Sequence, residues 1–544
     1  MINIDEAVDA IRIRDHFSAF AESPSPRVYG EGAAEAGRAA FDQLLGGDFD
    51  ISTPGAGDRV SPEVSPYGLT LGVAYPRVAR DDVDALVSAA IAGRRAWREA
   101  GPRRRTEVCV AILEALHSRV FELAHAVQHT SGQAFVMAFQ AGGTHALDRG
   151  LEAVAYALAA QEFHPATATW TKPGRKQDLV LDKTFTPVGR GLALLIGCNT
   201  FPTWNSYPGL FASLATGNPV IIKPHPHAVL PLAITAQVCQ QVLAEQGFDP
   251  HLVTLAVERD GDGLAKELAV HEAVRLIDYT GGNEFGDWLV DNARQAIVFA
   301  EQAGVNAVVL DSTDDFTGMI NNLAFSLVLY SGQMCTTSQN LFIPAAGIET
   351  DQGQLSPAEV GTALGRAIDE LLGPDEKAVE LLGAIVNDRI PTLVELSRSY
   401  GEVLVESRAL THPAFDDAVI RTPSLIMVDE ESTAYEQECF GPITFLVTTE
   451  STSASIHQFV RTVGEHGAMT AGVHSTSEEV VDAMREAALD VGVALSENLT
   501  GGVYVNQSAA FSDFHGTGAN AAANAAYTDL AYVANRFHVV QSRR

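Results

Sequence analysis

Short, mostly apolar runs at 192–196, 219–222, 252–256, 275–279 and 307–310 punctuate the middle of the chain, and stretches with helical spacing lie between them at 231–246 and 284–293. That alternation predicts βαβ units in a parallel sheet. Upstream, from 81 to 161, apolar residues recur at intervals of three and four, as in Val83, Leu86 and Ala90 and again in Val110, Leu113 and Leu116. The spacing predicts successive amphipathic helices, with Gly101-Pro102 and Ser131-Gly132 as punctuation. Residues 167–191 alternate polar and apolar positions (Leu179, Leu181, Phe185), which predicts a β-ribbon outside the main core. A second α/β stretch runs from 317 to about 499, and 531–540 reads as a final strand. Near the N-terminus a helix is expected over 7–21, followed by the Pro/Ser/Gly-rich segments Ser23-Pro24-Ser25-Pro26 and Pro54-Gly55-Ala56-Gly57, so residues 1–64 read as an extension.

Composition narrows the class. The 544 residues exceed what one core organises, which implies two or three domains. No apolar stretch approaches the roughly 20 residues that span a bilayer, and Asp5, Glu6 and Asp9 stand where a secretory signal carries positive charge; a soluble, cytoplasmic protein is expected, with no membrane partner. Asp and Glu number 68 against 36 Lys and Arg, and the net charge of −32 repels a phosphate backbone, which argues against nucleic acid. An anionic ligand must then be met locally, by a group such as Lys223 or a helix N-terminus. The cysteines at 109, 198, 239, 335 and 439 are odd in number and scattered, suggesting neither a disulfide framework nor a metal site.

Ser331-Gly332-Gln333-Met334-Cys335-Thr336-Thr337 places a thiol after a glycine-containing turn, where backbone N–H groups can stabilise a thiolate. Upstream, Phe299-Ala300-Glu301-Gln302-Ala303-Gly304 places a carboxylate at the end of an apolar strand. Singly, Cys335 reads as a packing residue and Glu301 as a surface charge. Gly281 and Gly286 flank a strand-to-helix turn of the kind that admits a nucleotide, or simply turns the chain.

Together these segments resemble the aldehyde dehydrogenase superfamily. Its glutamate precedes a glycine pair, and its cysteine follows a Gly-Gln-x sequence at the same separation. Further matches fall in order: Asn199-Thr200-Phe201-Pro202, Ala215-Thr216-Gly217-Asn218-Pro219-Val220-Ile221-Ile222-Lys223-Pro224, Tyr279-Thr280-Gly281-Gly282-Asn283-Glu284-Phe285-Gly286, Glu438-Cys439-Phe440-Gly441-Pro442 and Val503-Tyr504-Val505-Asn506. The resemblance implies an α/β fold. Its parts would be a doubly wound dinucleotide-binding domain (65–165 and 187–300), a catalytic α/β domain (301–527) and a β-ribbon oligomerisation element (166–186 and 528–544). It also implies NAD or NADP as coenzyme and a homodimer or homotetramer. Cys335 would be the nucleophile, Glu301 the base that activates water, and Asn199, with the Cys335 backbone N–H, the oxyanion donor. Asn205 lies close by and competes for that last role, its other reading being a turn cap. Lys223 would bind the adenosine ribose, Glu438 the nicotinamide ribose, and Phe440 would pack near the nicotinamide.

The chain departs from the family pattern at Cys198, Gly282 and Ala303, and at Pro226, where many NAD-dependent members carry a ribose-binding glutamate. Without that carboxylate a 2′-phosphate is expected to be tolerated, with His225 or His227 in reach. At finer grain Ser65-Pro66-Tyr67-Gly68, His129-Thr130-Ser131-Gly132-Gln133-Ala134-Phe135, residues 198–207 and Phe511-Ser512-Asp513-Phe514-His515-Gly516-Thr517-Gly518-Ala519-Asn520 resemble the PaaN group of phenylacetic acid degradation proteins. That resemblance implies a CoA-linked semialdehyde from ring cleavage as substrate. The alternatives are a CoA-acylating dehydrogenase, a cofactor-free thiol hydrolase and a noncatalytic binding relative.

Overall fold

The computed structural model describes residues 2–507, 510, 511, 513, 515–523 and 529–544. Leu192–Ile196 is the central strand of a five-stranded parallel sheet, in the order Val253–Leu255, Val220–Lys223, Leu192–Ile196, Val274–Thr280, Ile297–Glu301. Leu192, Leu194 and Ile196 enter one core while Ala193 and Leu195 enter another, so helices cover both faces and the run carries no polar side. The chain winds outward from the central strand to one edge, then returns to its other side at Val274–Thr280. The C-terminal ends of those two strands therefore border the switch point at which an open α/β sheet receives its ligand.

A second sheet of seven strands runs in the order Glu402–Val405, Ser424–Asp429, Ile443–Thr449, Asn340–Pro344, Ala307–Leu310, Thr470–His474, Ala494–Glu497. Its neighbours are parallel except at the edge, where Glu402–Val405 runs antiparallel. Outside both cores, Leu179–Gly189 pairs with Thr167–Lys172 on one side and with the C-terminal strand Phe537–Arg543 on the other. Among the described residues no helix is long and apolar enough to cross a membrane.

Three expectations change. The first helix is Ile4–Ile13 and not 7–21, because Arg14 takes a left-handed conformation and closes it. Residues 531–540 are not one strand: the Asp529 carboxylate caps Leu530–Ala534 as a helical turn, and the strand begins at Phe537. Nor is 1–64 a detached extension, since Ala7, Val8, Ile11, Phe20, Phe41 and Phe49 are buried in the first core.

Candidate active site

Cys335 stands on a turn that the backbone adopts only under constraint. Tyr330, Ser331 and Gly332 have φ of 53°, 51° and 66°, three successive left-handed residues, two of them with side chains that disfavour it. The surroundings hold them there. Tyr330 donates its hydroxyl to the Ser131 carbonyl, and Ser331 Oγ lies 3.1 Å and 3.0 Å from the carbonyls of Leu382 and Arg421. A side chain at position 332 would collide with the Gly441 carbonyl, so glycine is required by space as well as by φ. Asn306 then fixes the outgoing chain. Its Nδ2 donates to the carbonyls of Cys335 (2.7 Å) and Thr337 (3.0 Å), and its Oδ1 accepts from the N–H groups of Met469 (2.8 Å) and Thr470 (3.0 Å).

Glu301 ends the last strand of the first sheet, and its carboxylate is buried. Asn205 Nδ2 donates to Oε1 at 2.9 Å, and His515 Nε2 lies 3.2 Å from Oε2. Cys335 faces the same carboxylate; burial first, and the Glu301 charge second, push its thiol well above the usual range. Cys335 is therefore held as a neutral thiol beside the Glu301 carboxylate. Cys335 and Glu301 are thus brought together; the Asn199 side chain makes no hydrogen bond among the described residues, and its Oδ1 is buried. Asn205 does not cap the following helix Ser206–Ala215, having helical φ and ψ of its own and no side-chain cap bond.

A funnel of about 910 Å³ leads down to Cys335, Asn205 and His515, with Phe17, Trp204 and Phe325 among its aromatic walls. Part of the wall comes from residues 16–18 and 21–23, which the sequence reading leaves without a role. Ser18 Oγ and the Ala19 N–H donate to the buried Asp148 carboxylate at 2.7 Å and 2.8 Å, and His145 Nε2 lies 2.9 Å from Glu22 Oε2. Of the sequence segment 511–520, Ser512 and Phe514 lie outside the described residues.

The candidate nucleotide-binding residues gather at the ends of the first sheet. Lys223 closes Val220–Lys223 and is ion-paired, both groups buried, with Glu258 from the loop after Val253–Leu255. Glu258 Oε2 also accepts the Leu264 N–H at 2.7 Å, which ties the pair to the next helix. His225 is held neutral, its pKa pushed down to about 4 chiefly by burial. Gly281 leaves space for the Tyr279 hydroxyl, and Gly286 for the Gln302 side chain, whereas a Cβ at Gly282 would meet nothing within 4 Å. Burial raises the Glu438 carboxyl to about 7, opposed by the Gly304 N–H, and Phe440 packs against the second domain's core.

The model of the aldehyde dehydrogenase family matches residues 53–519, a span that contains Cys335, Glu301, Asn199, Lys223, Gly281, Gly286, Glu438 and Phe440 but not the wall residues 16–23. The chain belongs to the aldehyde dehydrogenase family. A solved NAD-dependent aldehyde dehydrogenase from Burkholderia multivorans is similar at 52% identity, with a TM-score of 0.97 over 99% of this chain and 97% of that one. Among characterised sequences, the geranial dehydrogenase of Castellaniella defragrans is 24% identical over 70% of this chain and 76% of its own. The alpha-ketoglutaric semialdehyde dehydrogenase of Bacillus subtilis is 23% identical over 74% and 79%. A 1-pyrroline-5-carboxylate dehydrogenase from Thermus with bound NAD shares the fold, at TM-score 0.74 and 18% identity over 97% of this chain and 99% of that one. As an aldehyde dehydrogenase the chain carries contacts that spacing does not reveal. Asn205 on Glu301 is hidden because an asparagine ahead of a helix looks like a cap. Glu258 is hidden because its partner lies 35 residues back in sequence (258 minus 223).

Proposed function

We propose that this aldehyde dehydrogenase oxidises an aldehyde to the free carboxylate with NAD, through a thioester on Cys335 that Glu301 hydrolyses. The observation that carries the reading is the cavity that opens on Cys335 with the buried Glu301 carboxylate facing the thiol, held there by Asn205. The sulfur adds to the aldehyde carbon as the thiol proton is released to bulk solvent, leaving Glu301 ionised for the hydrolytic step, and the Cys335 N–H with the Asn199 amide holds the oxyanion. Asn199 is preferred to Asn205 because the Asn205 amide already serves Glu301, whereas that of Asn199 is uncommitted among the described residues. Bound NAD supplies the acceptor for the hydride, whose departure leaves the thioester. A water oxygen then bonds to the carbonyl carbon, its proton goes to Glu301, and the C–S bond breaks to return the sulfur to Cys335.

The residues present fit the coenzyme. Lys223 and Glu258 offer a cation and a carboxylate to a ribose, the clear space at Gly282 precedes the helix Asn283–Asn292, and Glu438 offers a second carboxylate. The same pair revises the expectation drawn from Pro226. Glu258 neutralises the Lys223 cation, and the neutral His225 adds no second one, so a 2′-phosphate is disfavoured and NAD is the coenzyme of choice.

The funnel suits an aldehyde with an apolar body. Its lining includes Glu22, Asp148, Glu380 and Asp513 but, among the described residues, no Lys or Arg, so a CoA-linked semialdehyde of phenylacetate breakdown, the finer reading from resemblance, would have to keep its phosphates outside. Self-association through the ribbon is part of the proposal: Trp170, Leu179, Val180, Val539 and Val540 are exposed on it.

Cys335→Ala should abolish oxidation while NAD still binds with an unchanged Kd; turnover equal to wild type would remove Cys335 from the reaction. Glu301→Gln keeps the volume but cannot take a proton. Rapid mixing should give up to about one equivalent of NADH per site, then a steady state at least ~100-fold slower, with the acyl group on the Cys335 peptide by intact-mass analysis. Free acid appearing only after CoA is added to wild type would replace hydrolysis with transfer to CoA.

A further inference from the structure

His515 is the group at the floor of the funnel that the reaction above does not use. It is wholly buried, yet it faces the one carboxylate on which hydrolysis depends. Its ring meets Trp204 edge to face with centroids 4.4 Å apart, and the Arg149 guanidinium lies 4.7 Å from the centre of the Trp204 ring. Arg149 is itself paired with Glu152 at 3.2 Å, both buried, so His515 rests on a packed, charge-balanced layer and not on mobile side chains. Burial lowers the pKa of His515 against the opposing pull of Glu301, which leaves a neutral imidazole with one N–H to give. Asn205 donates to Oε1 of Glu301, and His515 reaches Oε2.

We propose that His515 is a positioning residue for Glu301: its Nε2–H donates to Oε2 while Asn205 donates to Oε1, and the two donors together hold the buried carboxylate aimed at the thioester on Cys335. The assignment rests on Glu301 being the base for hydrolysis. Two donors offset part of the solvation that a carboxylate loses on burial, and a carboxylate deprived of one of them binds a proton more readily. Among the described residues, Cys335, Cys198, Tyr532, Arg149 and Asp513 also face this pair, with Glu438 beyond Cys335. All of them stay in place when His515 alone is changed, so a shift in the pH dependence reports on that one contact.

The experiment compares His515→Leu, which has no donor, with His515→Gln, whose amide can reach the same oxygen, and His515→Asn, which is polar but too short. Each is characterised by its NADH burst, by the pH dependence of its steady-state rate and by its Kd for NAD. In the Leu and Asn variants the burst and the Kd should stay within about twofold of wild type. Their steady-state rates at pH 7 should fall by about tenfold or more, with the acid limb displaced upward by about one pH unit. The Gln variant should return the limb to its wild-type position. A uniform loss of rate with the limb unmoved would overturn the assignment and leave His515 a packing residue. Loss of the burst in the Asn variant, with NAD binding retained, would overturn it as well by placing His515 in acylation. Should Glu301→Gln in otherwise wild-type protein keep its full steady-state rate, the fault lies with Glu301 as base and not with His515.

Discussion

Glu258→Gln removes one charge and little volume, and it separates two explanations of coenzyme choice. If the carboxylate beside Lys223 excludes a 2′-phosphate, the ratio of kcat/KM for NADP over NAD should rise at least about tenfold, equivalent to ~1.4 kcal/mol. The Kd for NADP, read by quenching of tryptophan fluorescence, should tighten in parallel; an unmoved ratio would return the selection to Pro226 and its neighbours. At this scale the sequence is most informative where chemistry demands a residue type at a fixed spacing, as for Cys335 and Glu301. It is least informative where function is carried by contact across the fold. Glu258 follows an apolar strand and looks like surface charge, and only the pairing of Val220–Lys223 with Val253–Leu255 sets it against Lys223. His515 sits in a segment of small and polar residues, with no local pattern to say that it packs under Glu301.

Elements fare differently. Leu192–Ile196 and Ala307–Leu310 match their apolar runs residue for residue, because a strand covered on both faces has no polar positions to blur its ends. The first helix is misjudged because apolar residues continue past Arg14, among them Phe17 and Phe20, with the spacing of a helix but for a different reason. Phe17 packs on Phe511 and lines the funnel, and Phe20 enters the core from a bend beyond the helix. The turn bearing Cys335 is also illegible in advance, since left-handed Tyr330 and Ser331 run against local preference and exist only because the rest of the protein holds them. Asn306 is the clamp most open to test. Asn306→Ala leaves two carbonyls and two N–H groups without their partner and should lower stability by about 2–4 kcal/mol. The thiol should lose its aim at the same time, so kcat should fall further than the change in KM accounts for; a destabilised variant with wild-type kcat would show that the turn holds its shape without the clamp.

For the molecule as a whole, buried titratable groups set opposing slopes of stability against pH. Glu63, Asp148 and Glu438 have carboxyls raised to about 7 by burial, so the folded chain binds more protons than the unfolded one between about 4 and 7, and stability falls as pH climbs through that window. His125, His225 and His474 are lowered to about 4 and His129 to about 3 by burial; there the unfolded chain binds more protons, and stability rises with pH up to about 6.5. The histidine gain ends where the carboxyl loss is still running, so the melting temperature should peak near pH 6.5 and decline by pH 8. A melting temperature still rising between pH 7 and 8 would contradict this balance. Asp148 joins that behaviour to substrate access, because it anchors Ser18 and Ala19 beneath the funnel wall. That wall has a practical consequence. One side of the substrate passage is encoded within the first two dozen codons, far from those for Cys335, Glu301 and the coenzyme-binding residues, so a single crossover downstream of residue 23 would exchange that side and leave every reacting group in place. A library of chimeras with grafted leading segments, screened against aldehydes of graded width, should therefore move substrate range without disturbing the chemical step.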